Sequence, residues 1–216
     1  MNGYTLTDMY IYPVKSLAGI NVNRWDVVET GLLHDRKWMI IDEDGQFLSQ
    51  RRLPEMALIK PTLKDNCLIL SAPGMEDVNT PLEPSIEKNS IVKGIIWKDL
   101  CNVAHLSLKL DEWLSDFFKR DCRLVRQLDN VKRSVDPSYG LLSDQVAFSD
   151  GFPFLILSDR SLESLNHEMQ TKMSMARFRP NLVISGCPPY AEDAWREIRI
   201  GSIDFRLPKP CSRCIV

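Results

Sequence analysis

The sequence has almost no net charge, few histidines and no long apolar run, and each shortage weighs against a class of function. Lys and Arg number 27 against 29 Asp and Glu, a formal charge of −2. That balance provides no broad basic field and disfavours nucleic acid as a partner. No apolar stretch approaches the roughly 20 residues of a membrane span. A strand pattern begins at once, without the basic and apolar regions of a secretion leader, so the expectation is a soluble, cytoplasmic protein with no membrane partner. The three histidines, His34, His105 and His167, form no i, i+4 pair, and no chemical role is expected of them. The six cysteines, at 67, 101, 122, 187, 211 and 214, are expected to stay reduced. Cys67, Cys101 and Cys122 read as core thiols and Cys187 as an inert loop thiol.

What is there is globular. The 216 residues are 44% apolar and 26% charged, enough for one large domain or two small ones. Strand content dominates the first third: 5–12, ended by Pro13, then 25–29, a turn at Gly31, 37–42, a hairpin turn at 42–45 with return over 46–50, and the pair 57–63 and 67–71. The proline- and acid-bearing stretch 73–91 reads as a surface loop, and 91–97 as another strand. Leu110, Trp113, Leu114, Phe117 and Phe118 recur at helical spacing, with Lys109, Asp111, Glu112, Ser115 and Lys119 expected to face water. Residues 122–127 read as a strand, and the turn-rich 128–144 as the boundary between two regions. A buried strand at 152–157 precedes a helix capped by Ser158 that carries Leu162, Leu165 and Met169. A strand at 181–185 and a hairpin over 197–207 lead to Cys211-Ser212-Arg213-Cys214. No internal repeat is visible.

Several side chains have binding chemistry. Cys211-x-x-Cys214 admits half of a zinc site, a redox pair, or one thiolate on a soft, redox-active metal, beside inert structural thiols; no second Cys or His pair completes a zinc site. Lys15-Ser16, in a loop after a strand, offers an ammonium, a hydroxyl and backbone N–H groups to a phosphate, or is simply solvated. Arg36, Arg179 and Arg213 lie near strand ends, where a guanidinium matches a phosphate or pterin edge, or pairs with acids such as Asp35 at the surface. Asn181 suits a turn cap as well as a ligand.

Taken together, these segments are similar to the MOSC family, named for the molybdenum cofactor sulfurase C-terminal domain. Residues 12–19 (YPVKSLAG), 31–38 (GLLHDRKW) and 49–54 (SQRRLP) resemble its N-terminal β-barrel-like domain. Residues 177–186 (RFRPNLVISG), 190–195 (YAEDAW) and 211–214 (CSRC) resemble the MOSC domain proper. The resemblance implies a β-rich α+β fold, with an N-terminal β-barrel-like domain over 1–127 followed at 128–216 by the first part of a MOSC β-barrel. It implies a molybdenum cofactor, a Mo-molybdopterin, bound through Cys214 as metal ligand and catalytic thiolate. Lys15, Ser16, Arg36, Arg179, Asn181, Ser212 and Arg213 then match positions lining its phosphate and pterin. The implied activity is reduction of small N-hydroxylated or N-oxygenated substrates. Electrons would come from a donor protein or a downstream ferredoxin-like domain, which would carry the only iron–sulfur cluster. A second implication is a non-catalytic sulfur carrier served by a pyridoxal phosphate enzyme. The family's barrel continues beyond the cysteine motif, whereas this sequence stops two residues after Cys214. An open sheet edge and self-association are therefore expected.

Overall fold

The computed structural model describes residues 3–212. Arg213 and the expected metal ligand Cys214 lie outside them. Short runs of β-branched and aromatic residues, cut by turns, build a β-rich fold. In the first half the strands are β1 (Thr5–Ile11), β2 (Ile20–Val22), β3 (Val27–Val28), β4 (Gly31–Leu32), β5 (Trp38–Ile41), β6 (Lys60–Lys64), β7 (Cys67–Ser71) and β8 (Val78–Pro81). Then come β9 (Ile91–Ile96), β10 (Asp99–His105), helix α1 (Leu108–Phe118), β11 (Arg123–Gln127), β12 (Arg133–Ser134) and β13 (Gln145–Val146). Last are β14 (Ile156–Ser158), helix α2 (Asp159–Glu168), β15 (Leu182–Ser185), β16 (Glu197–Ile200) and β17 (Ile203–Arg206).

Two four-stranded sheets carry the architecture, in the orders β5-β11-β10-β9 and β14-β15-β1-β2. The second joins chain ends: β1 runs antiparallel to β15, with Thr5 opposite Ser185 and Met9 opposite Leu182, while β14 lies parallel to β15. Strands from both sides of residue 128 thus share one sheet. The principal core gathers Val14, Trp38, Ile40, Leu68, Leu70 and Val78 around Leu110, Leu114 and Phe118 of α1. A second cluster joins Met39, Ile41, Val103, Val125 and Phe148 on other strand faces. Both helices start on a serine whose hydroxyl accepts from a first-turn N–H, Ser107 from Leu110 and Ser158 from Ser161.

The structure departs from the local sequence pattern at several strands and at Asp111. Residues 73–91 are not all loop: β8 completes the β6-β7-β8 sheet, burying Val78 and Thr80 while Asn79 and Pro81 face out. Pro81 is tolerated because β8 is an edge strand. Only Val27–Val28 of the expected 25–29 strand pairs, and its partner strand includes Gly31, read as a turn. The return over 46–50 reduces to single bridges at Gln46 and Phe47. Within 152–157 only Ile156 and Leu157 are in a strand, and they are half-buried. Asp111 does not face water; it is buried, bonded to His105 at 2.6 Å and accepting from the Leu124 N–H at 3.2 Å. The 128–144 stretch is stapled by Arg133, which is buried and donates to Asp99 and to the Ala147 and Ser149 carbonyls.

Candidate functional site

After β1 the chain turns through Tyr12 to Leu17, and backbone hydrogen bonds fix this loop against two neighbours. Lys15 N–H donates to Trp38 O at 2.8 Å, Trp38 N–H to Pro13 O at 3.1 Å, and Arg36 N–H to Tyr12 O at 2.8 Å. Phe148 N–H donates to Arg36 O at 2.9 Å, which draws the 148–150 segment to the same place. Ser16, Arg36 and Arg179 all take positive φ, at 67°, 49° and 53°. Left-handed backbone costs a non-glycine residue about 1 kcal/mol or more, and such strain concentrates where side-chain direction matters.

Tyr12 is the hub. Its ring lies 4.4 Å from the Arg36 guanidinium carbon and 4.3 Å from that of Arg179, so two cations share one aromatic surface. Its hydroxyl donates to Pro180 O at 3.1 Å. Burial pushes the phenol up to about 12, against the opposing pull of Arg179 and Arg36. Asp35 sits beneath with a fully buried side chain, accepting from the Tyr12 N–H at 2.7 Å and from Arg36 Nη1 at 2.5 Å. The Asp35–Arg36 pair is therefore internal, not the surface pair a neighbouring acid suggests.

Asn181 ties the site to the far end of the chain. Its Oδ1 accepts from Arg36 Nη1 at 3.0 Å and from Leu155 N–H at 3.2 Å, while Nδ2 donates to Tyr10 O at 3.1 Å. It is 1% exposed and acts as an internal clamp, not a turn cap. Arg179 donates through Nη1 to Leu17 O at 2.5 Å, and its Nη2 is enclosed without a hydrogen-bond partner among the described residues. Burial, and next the Arg36 charge, lower the Arg179 guanidinium to about 10. A buried donor of this kind carries a desolvation cost until an acceptor arrives.

Lys15 is buried, and its ammonium donates to Phe148 O at 2.9 Å and to Asp150 Oδ1. Burial lowers it to about 8 against the upward pull of Asp150. Burial pushes the Asp150 carboxyl up, but Lys15, the Trp97 indole and Arg36 outweigh it and hold it below its ordinary range. Trp97 Nε1 donates to the same Oδ1 at 3.0 Å, and the Arg51 guanidinium lies 5.0 Å from the Trp97 ring. Gln50 Nε2 donates to Ser16 O at 2.7 Å.

Lys15, Arg36, Arg179 and Asn181 are thus joined by one network, in which Lys15 meets Arg36 through Phe148, while Ser16 lies next to Lys15 in the chain and is held by Gln50. Ser212 is exposed, its carbonyl contacted by Cys211 Sγ at 3.6 Å. The hairpin leading to it packs Phe205 edge-on against Phe154 and sets Lys209 4.1 Å from the Tyr139 ring. Among the described residues no three His, Cys, Asp or Glu side chains gather as a metal site, and no helix is long and apolar enough to cross a membrane. Sequence reasoning missed Tyr12 as a platform, Asp150 as the partner of Lys15, and Trp97. Tyr12 at least stands within a motif; Asp150 and Trp97 are far from Lys15 in sequence and carry no local signal.

Three cations against two carboxylates, with one guanidinium nitrogen enclosed and unpaired, suit an anionic group with several acceptor oxygens. The family described as the MOSC N-terminal beta barrel domain matches residues 3–121, and the MOSC domain family matches residues 143–216. The chain is 35% identical over 235 residues to mitochondrial amidoxime-reducing component 1 of Mus musculus, covering 98% of this chain and 64% of that protein. It is 37% identical over 226 residues to mitochondrial amidoxime reducing component 2 of Homo sapiens, covering 98% and 65%. To the molybdenum cofactor sulfurase of Homo sapiens it is 32% identical over 232 residues, covering 98% of this chain but 26% of that protein. The chain therefore spans between about a quarter and just under two thirds of the length of these relatives. With the first domain family alone matching more than half of its residues, the chain belongs to the MOSC family.

Proposed function

We propose that the chain binds an anionic molybdenum–pterin cofactor at the Lys15–Arg36–Arg179 cluster and reduces small N-oxygenated compounds. The observation that carries the reading is the enclosed, unpaired Nη2 of Arg179 beside two further cations. When bound, the cofactor supplies a redox-active metal for two-electron removal of oxygen from N-hydroxylated substrates, with water as the by-product. Cys214 is the proposed metal thiolate and catalytic group, consistent with the preference of soft metals for sulfur. Lys15 and Arg179 would neutralise the cofactor's phosphate, and Ser16, whose backbone is held in a left-handed turn, would lend its side-chain hydroxyl. Arg36, fixed by Asp35 and Asn181, keeps the Tyr12 platform in place, and Ser212 and Arg213 would help hold the pterin. An electron-donor protein or a ferredoxin-like domain supplies the electrons, in the cytoplasm.

The test is the molybdenum-to-protein ratio of the chain purified from a host that makes the cofactor. A ratio near one, lost in Cys214→Ser and reduced in Arg179→Met but kept in Cys211→Ser, is the expected result. A metal content indifferent to Cys214 and Arg179 overturns the assignment. The similarity to the sulfurase favours a second reading, in which Cys214 carries a persulfide supplied by a pyridoxal phosphate enzyme. A reductant-labile sulfur on Cys214 without bound molybdenum selects that alternative.

A further inference from the structure

The two carboxylates of the cluster are held very differently. Asp35 has a fully buried side chain fixed by the Tyr12 N–H and by Arg36, and no rotation frees it without breaking both. The Asp150 side chain is 63% exposed, while its partner Lys15 is 8% exposed. Both hydrogen bonds to Asp150, from Lys15 Nζ and Trp97 Nε1, fall on the same oxygen, Oδ1. Trp97 is itself 43% exposed, at the turn between β9 and β10. The pair is therefore a buried cation satisfied by a surface anion, with a second donor on the solvent side.

We propose that Asp150 is the site's displaceable counter-ion: its carboxylate occupies the Lys15 ammonium until an anionic ligand takes its place, and then stays tethered to the Trp97 indole. The inference rests on the anion-binding reading given under Proposed function and adds how entry to that site is controlled. A buried ammonium needs an anionic partner at every stage, since leaving it unpaired is costly. Exchange of one anion for another keeps Lys15 paired, and a phosphate adds acceptors that Asp150 does not direct at Arg179, whose Nη2 is unpaired while Asp150 holds Lys15. The carboxylate thus sets a threshold: weak or singly charged anions do not displace it, and a dianion with several oxygens does. Asp150 acts on binding through Lys15 and is a positioning residue in this role.

Inorganic phosphate is the probe, titrated calorimetrically into the cofactor-free chain and its variants. Asp150→Asn removes the competitor and is expected to tighten phosphate binding about tenfold, while Asp150→Glu, which keeps an anion, stays near the parent affinity. Unchanged or weaker binding in Asp150→Asn overturns the exchange. In the unsubstituted chain, the Trp97 indole N–H resonance, assigned with Trp97→Phe, shifts and saturates with phosphate as Asp150 leaves Lys15, because the indole then no longer shares Oδ1 with the ammonium. An unmoved resonance at saturation also overturns it, and this measurement needs no altered Asp150. Arg179→Met separates the two ideas. If it weakens phosphate while Asp150→Asn does not tighten it, the anion site stands and the exchange fails. Phosphate binding that is absent or indifferent to Arg179 overturns both.

Discussion

Arg36 Nη1 donates to Asn181 Oδ1 at 3.0 Å across 145 positions of sequence. The same nitrogen also holds Asp35, so one guanidinium joins the turn between β4 and β5 to the residue that precedes β15. Asn181→Ala removes the acceptor used by Arg36 and Leu155 and the donor used by Tyr10, so that all three lose a partner in a buried place. The expected cost is about 3 kcal/mol, read as a lower urea midpoint with an unchanged slope, together with weaker phosphate binding because Arg36 loses an anchor.

Gly19 lies against the Tyr12 ring so closely that an added Cβ would overlap Tyr12 Cε1 and come within 2.9 Å of Cδ1. Gly19→Ala therefore displaces the platform that both guanidiniums use. Destabilisation of about 1–3 kcal/mol is expected. Cofactor or phosphate affinity should fall further than in a variant matched for stability but distant from Tyr12, a comparison made by calorimetry.

Asp111 and His105 form a pair that α1 brings against β10 and β11. Asp111→Asn keeps an acceptor for the Leu124 N–H but loses the charge facing His105. A loss of about 1–3 kcal/mol is expected, and a double-mutant cycle with His105→Ala should be non-additive. Additive effects would show that the contact contributes nothing specific.

The lowered Lys15 gives a pH signature. With its folded value near 8 against an ordinary 10.5, Lys15 is charged in both folded and unfolded chains below about pH 8. Its burial penalty is fully present there and is relieved as pH rises from about 8 toward 10.5, since the unfolded chain then binds more protons. Stability of the parent minus that of Lys15→Met should thus rise across this window. Sulfate, whose charge is constant there, should bind less tightly as pH passes through 8, and Lys15→Met should flatten that profile.

Legibility in the sequence followed the range of the interaction. The apolar stripe of α1, the Ser158 cap and the alternation of β16 and β17 are local signals and appear where the residues place them. β8 was hidden because its strand signal is two buried residues, Val78 and Thr80, among acids and prolines, and its stability comes from pairing with β7. Asp111 was misplaced because helical spacing identifies a face and cannot reveal that His105 and the Leu124 amide reach around to it. At the site, Lys15, Arg36, Arg179 and Asn181 were legible through their motifs. Their partners were not: Asp150 meets Lys15 across 135 positions, and no spacing rule spans that distance.

The pairing of β1 with β15 bears on how the protein is made. Thr5 leaves the ribosome before its partner Ser185, which follows 180 residues later by the register of the two strands. At about 5–20 residues per second this is a delay of about 10–35 s. For that interval β1 has only β2 beside it, and its other edge is open to chaperones or to neighbouring nascent chains. Tyr12 and Arg36 meanwhile lack Arg179 and Asn181, so the cation cluster cannot assemble during most of synthesis. Loading of any ligand there is consequently a late event in biogenesis, after residues 179–181 have emerged.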